Sequence, residues 1–402
     1  MRIACVIHSL DGGGAERIMA GLASRLASRG HEVHLVTLDD GRRERYEVDA
    51  AVRRHRLGVL GGGGGGLRRG WAFLRRCRSL RRAVATARCD VVLSFCDRTN
   101  LLTLVAGVGL RTRSARDGGQ RRQSWRAGSR LPVVISEHSD PRQQTLGRRG
   151  EWARRRLYPR ATGVVVLTEP VADFMRWLGC RAVRVIPGAV DPPPVRSDRG
   201  QAAENRRVIA LGRLASEKSL DRLITAFARA AGDDSRWSLR IVGEGPEREA
   251  LRRHAETLGV ADRVSFAGWV RPIWGELAAA TVYALSSRYE GFPSALLEAM
   301  AVGLPCVAVD CDSGPRAILR HGRDGWLVPN DTESLAAGLR RMITEPSLRE
   351  RLGGRAPEVL RRFGWEPMVD AYERALLDAI AGPAGMAVDR STPRQAAASS
   401  NA

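Results

Sequence analysis

Short apolar runs alternate with longer amphipathic stretches along most of the chain. The opening run Arg2–His8 is followed by Ile18, Leu22 and Leu26 at helical spacing, and then by the apolar run His31–Leu38. Spacings of three to four residues indicate one buried face of a helix, and short apolar runs are typical of buried parallel strands. We therefore predict a βαβ unit at the start of the chain.

The same alternation starts again after the proline-rich stretch Pro187–Pro194, which is typical of a linker. Further strands are predicted at Val91–Phe95, Leu131–Ser136, Gly163–Leu167, Ala182–Ile186, Arg207–Leu211, Trp237–Val242, Val264–Phe266, Val282–Leu285, Pro305–Val309 and Trp326–Val328. The pattern predicts an α/β protein with two Rossmann-like, doubly wound parallel sheets. We assign residues 1–187 to a first domain, 188–365 to a second, 366–380 to a C-terminal helix and 381–402 to a disordered tail.

Positive charge is concentrated in the first half of the chain. The formal net charge is +21, and residues 1–190 hold 36 arginines against 16 acidic residues. Such an asymmetry carries information about partners rather than about fold. It indicates a nucleic acid, an anionic membrane surface or a phosphate-bearing substrate.

Two segments carry much of this charge. Leu67–Ala87 is predicted as a basic amphipathic helix, with Phe73, Leu80 and Val84 on one stripe. The stripe either docks on the sheet, which leaves the arginines in solvent, or contacts anionic lipid headgroups. Arg111–Arg130 is predicted as a mobile insertion, and its single aromatic residue gives little support for stacking on nucleic-acid bases.

The cysteines and the apolar runs bear on location. Seven cysteines form no CxxC pair, which favours a reduced, cytoplasmic protein without a structural metal. No apolar run reaches the ~18 residues that a membrane span requires. We expect any membrane contact to be peripheral, at the inner face.

One loop leading into a helix carries the strongest candidate chemistry. Pro293 stands where a helix can begin, and Ser294 is predicted to cap it. Glu290 lies in the loop, Glu298 lies one turn inside the helix, and Gly291 lets a ligand approach the backbone. Carboxylates suit sugar hydroxyls because they only accept hydrogen bonds. The alternative is a solvated loop glutamate and a second one that serves only the helix dipole.

Two other strand-to-helix turns are candidates for phosphate binding. Gly12–Gly14 follows the first strand, but Arg17 replaces the third glycine of a dinucleotide fingerprint. This turn either lets a ligand approach its last two glycines or is only a tight turn, and the sequence leaves both alternatives open. Arg213 and Lys218 share a later turn, where they either clamp a diphosphate and stabilise a departing phosphate or are merely solvated.

Two further motifs follow strands at their carboxyl ends. His138 follows the strand Leu131–Ser136, at the edge where open α/β sheets bind ligands, which favours function over the usual structural role of a lone histidine. Asp310-Cys311-Asp312 imitates a metal-binding D-x-D sequence, and we interpret this three-residue match as chance.

In this order the motifs resemble those of the family 4 glycosyltransferases, which have the GT-B architecture, over about residues 1–380. The matching motifs are Gly12-Gly13-Gly14-Ala15-Glu16-Arg17, Ser136-Glu137-His138, Gly212-Arg213-Leu214 with Glu217-Lys218, Val242-Gly243-Glu244-Gly245-Pro246, Glu290-Gly291-Phe292-Pro293 with Glu298, and Ser313-Gly314-Pro315. The resemblance implies two Rossmann-like domains that face each other across a cleft, with the C-terminal helix 366–380 crossing back to the first domain.

The resemblance also implies a retaining, metal-independent enzyme without a cofactor. Such an enzyme moves a hexose or N-acetylhexosamine from a nucleotide-sugar, either a UDP-sugar or a GDP-sugar, and we favour UDP as the carrier. The implied catalytic residues are His138, Glu290, Arg213 and Lys218. The implied donor-binding residues are Gly13, Gly14, Arg213, Lys218, Gly243, Glu290, Gly291, Phe292, Pro293 and Glu298, with the two cations on the diphosphate and Glu298 on the ribose.

The implied acceptor is a glycan or a polyprenyl-diphosphate-linked glycan in cell-surface polysaccharide or glycolipid synthesis. The basic first domain is expected to receive it at an anionic membrane surface, and no nucleic-acid partner is expected. Two alternatives are a UDP-sugar epimerase on the same fold and a basic nucleic-acid-binding protein. The second would explain the charge but leaves Glu290 and Glu298 without a role.

Overall fold

The structure is a computed structural model that describes residues 1–61, 66–112, 129–197, 200 and 204–382, with the side chains of residues 66–68 not described. Within these ranges the strands form two wholly parallel sheets, one of seven strands and one of six. The predicted α/β class with two doubly wound sheets is therefore confirmed. The insertion at Arg111–Arg130 and the tail at 381–402 lie almost entirely outside the described residues, as does most of the glycine run Gly61–Gly66.

The first sheet has the strand order β3-β2-β1-β4-β5-β6-β7. Its strands are β1 Arg2–Ile7, β2 Glu32–Thr37, β3 Arg53–Arg56, β4 Val91–Phe95, β5 Val133–Glu137, β6 Gly163–Val166 and β7 Val183–Val185. The helices between them are α1 Gly14–Ser28, α2 Gly66–Ala87, α3 Asp97–Ala106, α4 Gly147–Leu157 and α5 Glu169–Trp177. We call this sheet and its five helices the first lobe.

The second sheet has the strand order β10-β9-β8-β11-β12-β13. Its strands are β8 Arg207–Leu211, β9 Ser238–Val242, β10 Val264–Gly268, β11 Val282–Leu285, β12 Cys306–Val309 and β13 Trp326–Val328. The helices that follow are α6 Leu220–Ala231, α7 Arg248–Thr257, α8 Trp274–Ala278, α9 Ser294–Val302, α10 Gly314–Ile318, α11 Thr332–Thr344, α12 Pro346–Arg355, α13 Val359–Arg362 and α14 Trp365–Ala381. The second lobe comprises β8–β13 with α6–α13.

Each sheet is buried on both faces, as parallel sheets require. In the first lobe, Ile3 and Cys5 of β1 face a core that includes α1, while Ala4 and Val6 face a core that includes α2, α3 and α5. The period-two alternation along one strand thus fills two separate hydrophobic layers.

The last helix, α14, packs on the first sheet although the chain reaches it from the second lobe. Met368, Val369 and Leu376 are buried in the same cluster as α1 and β1. At the helix start, Trp365 lies against Gly21, where a Cβ would stand 2.3 Å from the indole ring. The absence of a side chain in the middle of α1 therefore makes room for the indole.

The basic helix α2 docks with only part of its predicted apolar stripe. Leu80 and Val84 are buried on the sheet, whereas Phe73 is 44% exposed and Trp71 is 69% exposed. Of the two alternatives for the stripe, docking on the sheet therefore holds for Leu80 and Val84 but not for Phe73. The N-terminal half of α2 presents aromatic side chains and arginines to solvent.

Among the described helices, none combines the length and apolar character that crossing a bilayer requires. All seven cysteine thiols are free. Five of them are buried, and burial raises the pKa of the Cys5 and Cys180 thiols to about 12. These buried thiols are therefore protonated and pack as small apolar side chains.

Candidate active site

The candidate residues lie in loops that leave the carboxyl ends of the strands. Because all strands of a sheet run the same way, their carboxyl ends share one edge. In the first lobe, this edge carries the turn after β1 and His138 after β5. In the second lobe, it carries the loops after β8, β9 and β11. Contacts between these loops join the two lobes.

The loop before α9 is the central element of the site. Pro293 is the N-cap residue of α9, and no side chain caps the helix. The prediction that Ser294 caps it is wrong, because Ser294 is already the first helical residue. Its hydroxyl instead faces the first lobe, 3.0 Å from the point where a Cβ on Gly14 would stand.

Each candidate phosphate-binding cation is paired with a carboxylate. Lys218 Nζ donates to Glu290 at 2.6 Å, and the Ser287 hydroxyl donates to the same carboxylate at 2.6 Å. Arg213 donates to Glu217 at 2.5 Å and is largely exposed. The structure therefore brings Lys218 and Glu290 together, whereas Arg213 pairs within its own turn.

The turns after β8 and β9 touch each other through glycines. A Cβ on Gly243 would stand 1.9 Å from the carbonyl oxygen of Gly212, and Gly243 has a φ of +143°. Both facts exclude any other residue there without rearrangement. Gly243 therefore supports the loop that carries Arg213 and Lys218.

Glu298, in the first turns of α9, is contacted from the opposite lobe. Arg17 Nε lies 3.6 Å from Glu298 Oε1, and the same guanidinium donates to the Ala189 carbonyl at 2.6 Å. Both side chains are mostly buried. In the sequence, Arg17 breaks the dinucleotide fingerprint and ends the first motif of the family resemblance, but neither observation gives it a role. The contact with Glu298 does so.

The two lobes meet where Gly291 faces His138. A Cβ on Gly291 would stand 2.4 Å from the His138 carbonyl oxygen and 3.0 Å from its carbon. Only glycine permits this approach of two backbones. The loop that carries Glu290 therefore lies directly against the strand end that carries His138.

The remaining members of the loop act through packing. Phe292 is buried against Phe363, with ring centroids 5.4 Å apart, so its side chain serves the packing of the loop. The Glu290 carbonyl accepts hydrogen bonds from the Gly314 amide at 3.3 Å and from the Ser313 hydroxyl. The motif Ser313-Gly314-Pro315 thus holds the loop in place.

Two histidines near Glu16 have shifted pKa values of opposite direction. Burial lowers the pKa of His138 to about 4. A hydrogen bond to Glu16, at 3.1 Å, raises the pKa of His8 despite partial burial. Near neutral pH, therefore, His138 is a neutral imidazole and His8 has an increased share of the charged form.

The Gly13–Gly14 turn is filled by the chain itself. A Cβ on Gly13 would stand 2.1 Å from a carboxylate oxygen of Glu16. A carboxylate at the start of α1 is favourable because it meets the positive end of the helix dipole. A phosphate that approached this turn would meet Glu16 first.

A further contact joins the lobes beside this turn. The Arg45 guanidinium lies over the ring of Trp269, 4.3 Å from its centroid, and pairs with Asp11 at 3.2 Å. From the other side, Arg271 lies 4.5 Å from the ring centroid of Tyr46. These cation–π contacts add to the Arg17–Glu298 contact across the cleft.

The D-x-D sequence forms a local ion pair. Asp310 accepts from Arg316 at 3.0 Å through Nε and at 2.5 Å through the guanidinium nitrogen Nη2. This pairing agrees with the interpretation of the motif as a chance match.

Family models match both halves of the chain. The model described as Glycosyl transferases group 1 matches residues 194–359, and the one described as Glycosyl transferase 4-like domain matches residues 13–189.

Individual relatives come from bacterial polysaccharide synthesis. An exopolysaccharide phosphotransferase of Streptomyces coelicolor is 36% identical over 63% of this chain, although the match spans only 27% of that protein's length. LpsE, a lipopolysaccharide core biosynthesis glycosyltransferase of Rhizobium meliloti, is 34% identical over 58% of this chain and 69% of its own.

One relative matches over nearly its whole length. It is the Campylobacter jejuni α-1,4-N-acetyl-D-galactosaminyltransferase whose name gives a GalNAc-GalNAc-diNAcBac-PP-undecaprenol substrate, and it is 25% identical over 90% of this chain and 94% of its own. Among solved structures, Anabaena HepE in complex with UDP and glucose superposes with a TM-score of 0.73 at 20% identity, covering 94% of this chain and 99% of its own. This likeness shows the GT-B fold.

Proposed function

The chain belongs to the group 1 glycosyl transferases, with a glycosyl transferase 4-like domain in its first half, and we propose that it moves a hexose or N-acetylhexosamine from a nucleotide-sugar to a glycan or lipid-linked glycan. The observation that carries the proposal is the joining of Lys218, Glu290 and Gly291 to His138 across the gap between the lobes. A ligand bound at this point would meet a cation, an acceptor carboxylate and the backbone of the loop together.

In the proposed complex the diphosphate of the donor replaces the carboxylates as partner of Arg213 and Lys218. Charge-assisted hydrogen bonds to phosphate are strong, and the two cations neutralise charge that develops as the nucleotide leaves. They would supply the positive charge without a metal ion. Glu290, freed from Lys218, would accept hydrogen bonds from the donor sugar.

Glu298 binds the ribose hydroxyls in this proposal, held in place by Arg17 from the first lobe. The backbone at Gly291, Phe292 and Pro293 contacts the sugar, and His138 lines the reaction centre. Gly13 and Gly14 approach the phosphate once Glu16 moves aside.

Retention of configuration is part of the proposal because of the family resemblance, which implies a front-face path assisted by the leaving phosphate. UDP as the carrier is supported by HepE, whose structure holds UDP and glucose. A lipid-linked acceptor is supported by the Campylobacter relative, whose name includes a PP-undecaprenol substrate.

A thermal-shift screen over UDP, GDP, ADP and their sugars tests the donor site. A ligand that binds only the folded state adds about 2.7 kcal/mol at a concentration of about 100 Kd, so we expect a clear rise in Tm with UDP or UDP-sugars. Lys218→Ala and Glu298→Ala should abolish the rise and lower transfer or hydrolysis by about 100-fold or more.

Arg236→Ala is the matched control. Arg236 is exposed, pairs with Asp234 at 2.7 Å and precedes β9, at the opposite edge of the sheet. Its loss should therefore change neither the rise in Tm nor the rate of transfer. No stabilisation by any nucleotide would contradict the proposal. A new epimer of the sugar nucleotide in the absence of an acceptor would support the epimerase instead.

We further propose that the first lobe sits on an anionic membrane at the inner face. The helices α2, α4 and α5 carry the exposed aromatic residues Trp71, Trp152 and Trp177, each more than 60% exposed. Arg156 lies 5.7 Å from the ring of Trp152, and Arg155 lies 5.8 Å from that of Trp177. Aromatic rings beside arginines suit the interface between headgroups and acyl chains.

Vesicle pelleting tests this surface. The protein should bind vesicles that contain phosphatidylglycerol, less at high salt, and should not bind pure phosphatidylcholine vesicles. Replacing the exposed Arg75 and Arg78 of α2 by glutamate should lower binding, whereas Arg236→Glu should not. Binding that is unaffected by the α2 substitutions would rule out this surface.

A further inference from the structure

A chain of hydrogen bonds links His138 to the C-terminal helix. Ser136 Oγ lies 3.1 Å from His138 Nε2 and 2.9 Å from the hydroxyl of Tyr372 on α14. Ser136 and Tyr372 are almost completely buried. The backbone of Ser136 is fixed as well, because its carbonyl accepts from the Asn100 side chain at 3.0 Å and from the Cys96 amide at 3.1 Å.

The direction of these hydrogen bonds follows from counting protons. Ser136 Oγ is the only partner of the Tyr372 hydroxyl among the described residues, and a buried hydroxyl leaves its proton unpaired only at considerable cost. Tyr372 therefore donates to Ser136. The serine proton then has one partner left within the described part of the chain, His138 Nε2, which must be the unprotonated nitrogen.

The imidazole that results is a hydrogen-bond donor at its other nitrogen. Burial lowers the pKa of His138 to about 4, so the ring is neutral near pH 7 and carries its one proton on Nδ1. Within the described part of the chain, the hydrogen bond at Nε2 is the one that the ring makes, and His138 keeps part of its surface accessible. The ring is held in orientation by Phe95, whose centroid lies 4.2 Å away.

We propose that Tyr372 is a positioning residue that acts through Ser136 to hold His138 in its Nδ1–H form, which donates a hydrogen bond to an oxygen of the donor substrate in the cleft. The proposal rests on the proposed function. It gives the crossing of α14 onto the first sheet a consequence for chemistry, since a residue from the end of the chain sets the proton position at the reaction centre.

Tyr372→Phe tests the proposal because it keeps the buried ring and removes only the hydroxyl. The serine proton is then free to turn away, and we expect nitrogen-15 NMR of His138 to change from the Nδ1–H form to a mixture of both forms. Turnover should fall by about 10- to 100-fold, while KM for the nucleotide-sugar and the Tm shift with UDP stay unchanged.

Ser136 provides a second variant. Ser136→Ala should reproduce the change in the His138 spectrum, and the double variant with Tyr372→Phe should be no worse than Ser136→Ala alone, because both act along one path. Ser136→Thr keeps a hydroxyl and should retain the wild-type spectrum.

Tyr283→Phe is the control. Tyr283 is a fully buried tyrosine of the second lobe whose hydroxyl has no partner in the described structure. Its substitution should leave the His138 spectrum and turnover unchanged. A wild-type spectrum of the Nε2–H form, or one that Tyr372→Phe does not alter, would overturn the inference. The expected spectra without any nucleotide-sugar activity would instead contradict the proposed function.

Discussion

Arg17 contributes to the site in a way that its position in the sequence does not reveal. Its position broke the glycine fingerprint of a dinucleotide fold, yet its guanidinium lies 3.6 Å from Glu298 in the other lobe. The pattern of charges along the chain could not reveal this contact, because the two residues are 281 positions apart. The positions of Lys218 and Glu290, in contrast, followed from strand-end loops that the apolar runs located.

Gly291 is a position at which we expect the addition of a single methyl group to lower sugar transfer. A methyl group there would collide with the His138 carbonyl at 2.4 Å, so Gly291→Ala must push the loop of Glu290 away from the first lobe. Sugar transfer should fall by at least about tenfold, because a displacement near 1 Å is costly in an active site.

Gly275→Ala is the matched control for this substitution. Gly275 lies in the short helix α8, and a Cβ there would meet nothing within 4 Å. Transfer should be unchanged, and stability should rise by about 0.5–1 kcal/mol because alanine favours the helix. Equal activities of the two variants would show that the approach of Gly291 to His138 is not needed.

The two histidines beside Glu16 should titrate in opposite directions from the ordinary value near 6.5. Proton NMR should place the pKa of His138 at about 4 and that of His8 above 6.5. A single common pKa would contradict the pairing of His8 with Glu16 and the burial of His138.

The same shifts predict how stability depends on pH. The pKa of His138 is lower in the folded than in the unfolded chain, so its contribution is present above pH 6.5 and is lost as the pH falls towards 4, by at most about 3 kcal/mol. The contribution of His8 has the opposite sign: it is complete below pH 6.5 and is lost as the pH rises through its raised pKa. His138→Asn should flatten the acid side of an unfolding curve measured between pH 4 and 6.5.

At the scale of elements, strands made of apolar residues were predictable and a strand made of charged residues was not. Val91–Phe95 and Val282–Leu285 were predicted with their observed bounds, because a buried parallel strand is an uninterrupted apolar run. The strand β3 was missed because it consists of Arg-Arg-His-Arg at the edge of the sheet. Ion pairs of Glu44 with Arg54 and Arg56 hold it, and such partners have no signature in a local pattern.

The helix α2 illustrates a related limit. Its periodicity was correct, and it spans Gly66–Ala87 against a predicted start at Leu67. The stripe is covered at Leu80 and Val84, whereas Phe73 is 44% exposed. The periodicity of apolar residues identifies the buried face of a helix, but it does not show how far along the helix that face is covered.

The packing of α14 on α1 gives a prediction in which two effects compete. In a solvated helix, Gly21→Ala would stabilise the protein by about 1 kcal/mol. Here the new methyl group would stand 2.3 Å from the Trp365 indole, and we expect a net loss of about 1–3 kcal/mol in urea unfolding. A gain in stability would indicate that Trp365 leaves α1 readily.

At the scale of the whole molecule, the two lobes are held together by a small set of contacts around the cleft. Arg17 with Glu298, Arg45 with Trp269 and Arg271 with Tyr46 all join residues of different lobes. A donor that binds Glu298 therefore alters a contact between lobes. Donor affinity and the relative position of the lobes are linked for that reason, and each must influence the other.

A disulfide across the cleft tests whether turnover requires the lobes to separate. A Cβ on Gly14 would stand 3.7 Å from the Cβ of Ser294, within the range that a disulfide spans. The double substitution Gly14→Cys with Ser294→Cys should therefore form this bond under oxidation. Turnover should stop in the oxidised protein and return on reduction.

The single variants Gly14→Cys and Ser294→Cys control for the loss of each native residue and for the seven native thiols. Neither should respond to oxidation. Unimpaired turnover in the bridged protein would mean that substrates enter and leave without movement of the lobes at this point.

The position of Lys218 beside Glu290 has a consequence for chemical labelling of this protein. Lys218 is the only lysine in 402 residues, so reagents that acylate primary amines have two targets, its ammonium group and the amino terminus. A donor that occupies the site would protect Lys218 from the reagent. Intact-mass spectra after labelling would then give the fraction of molecules whose donor site is occupied.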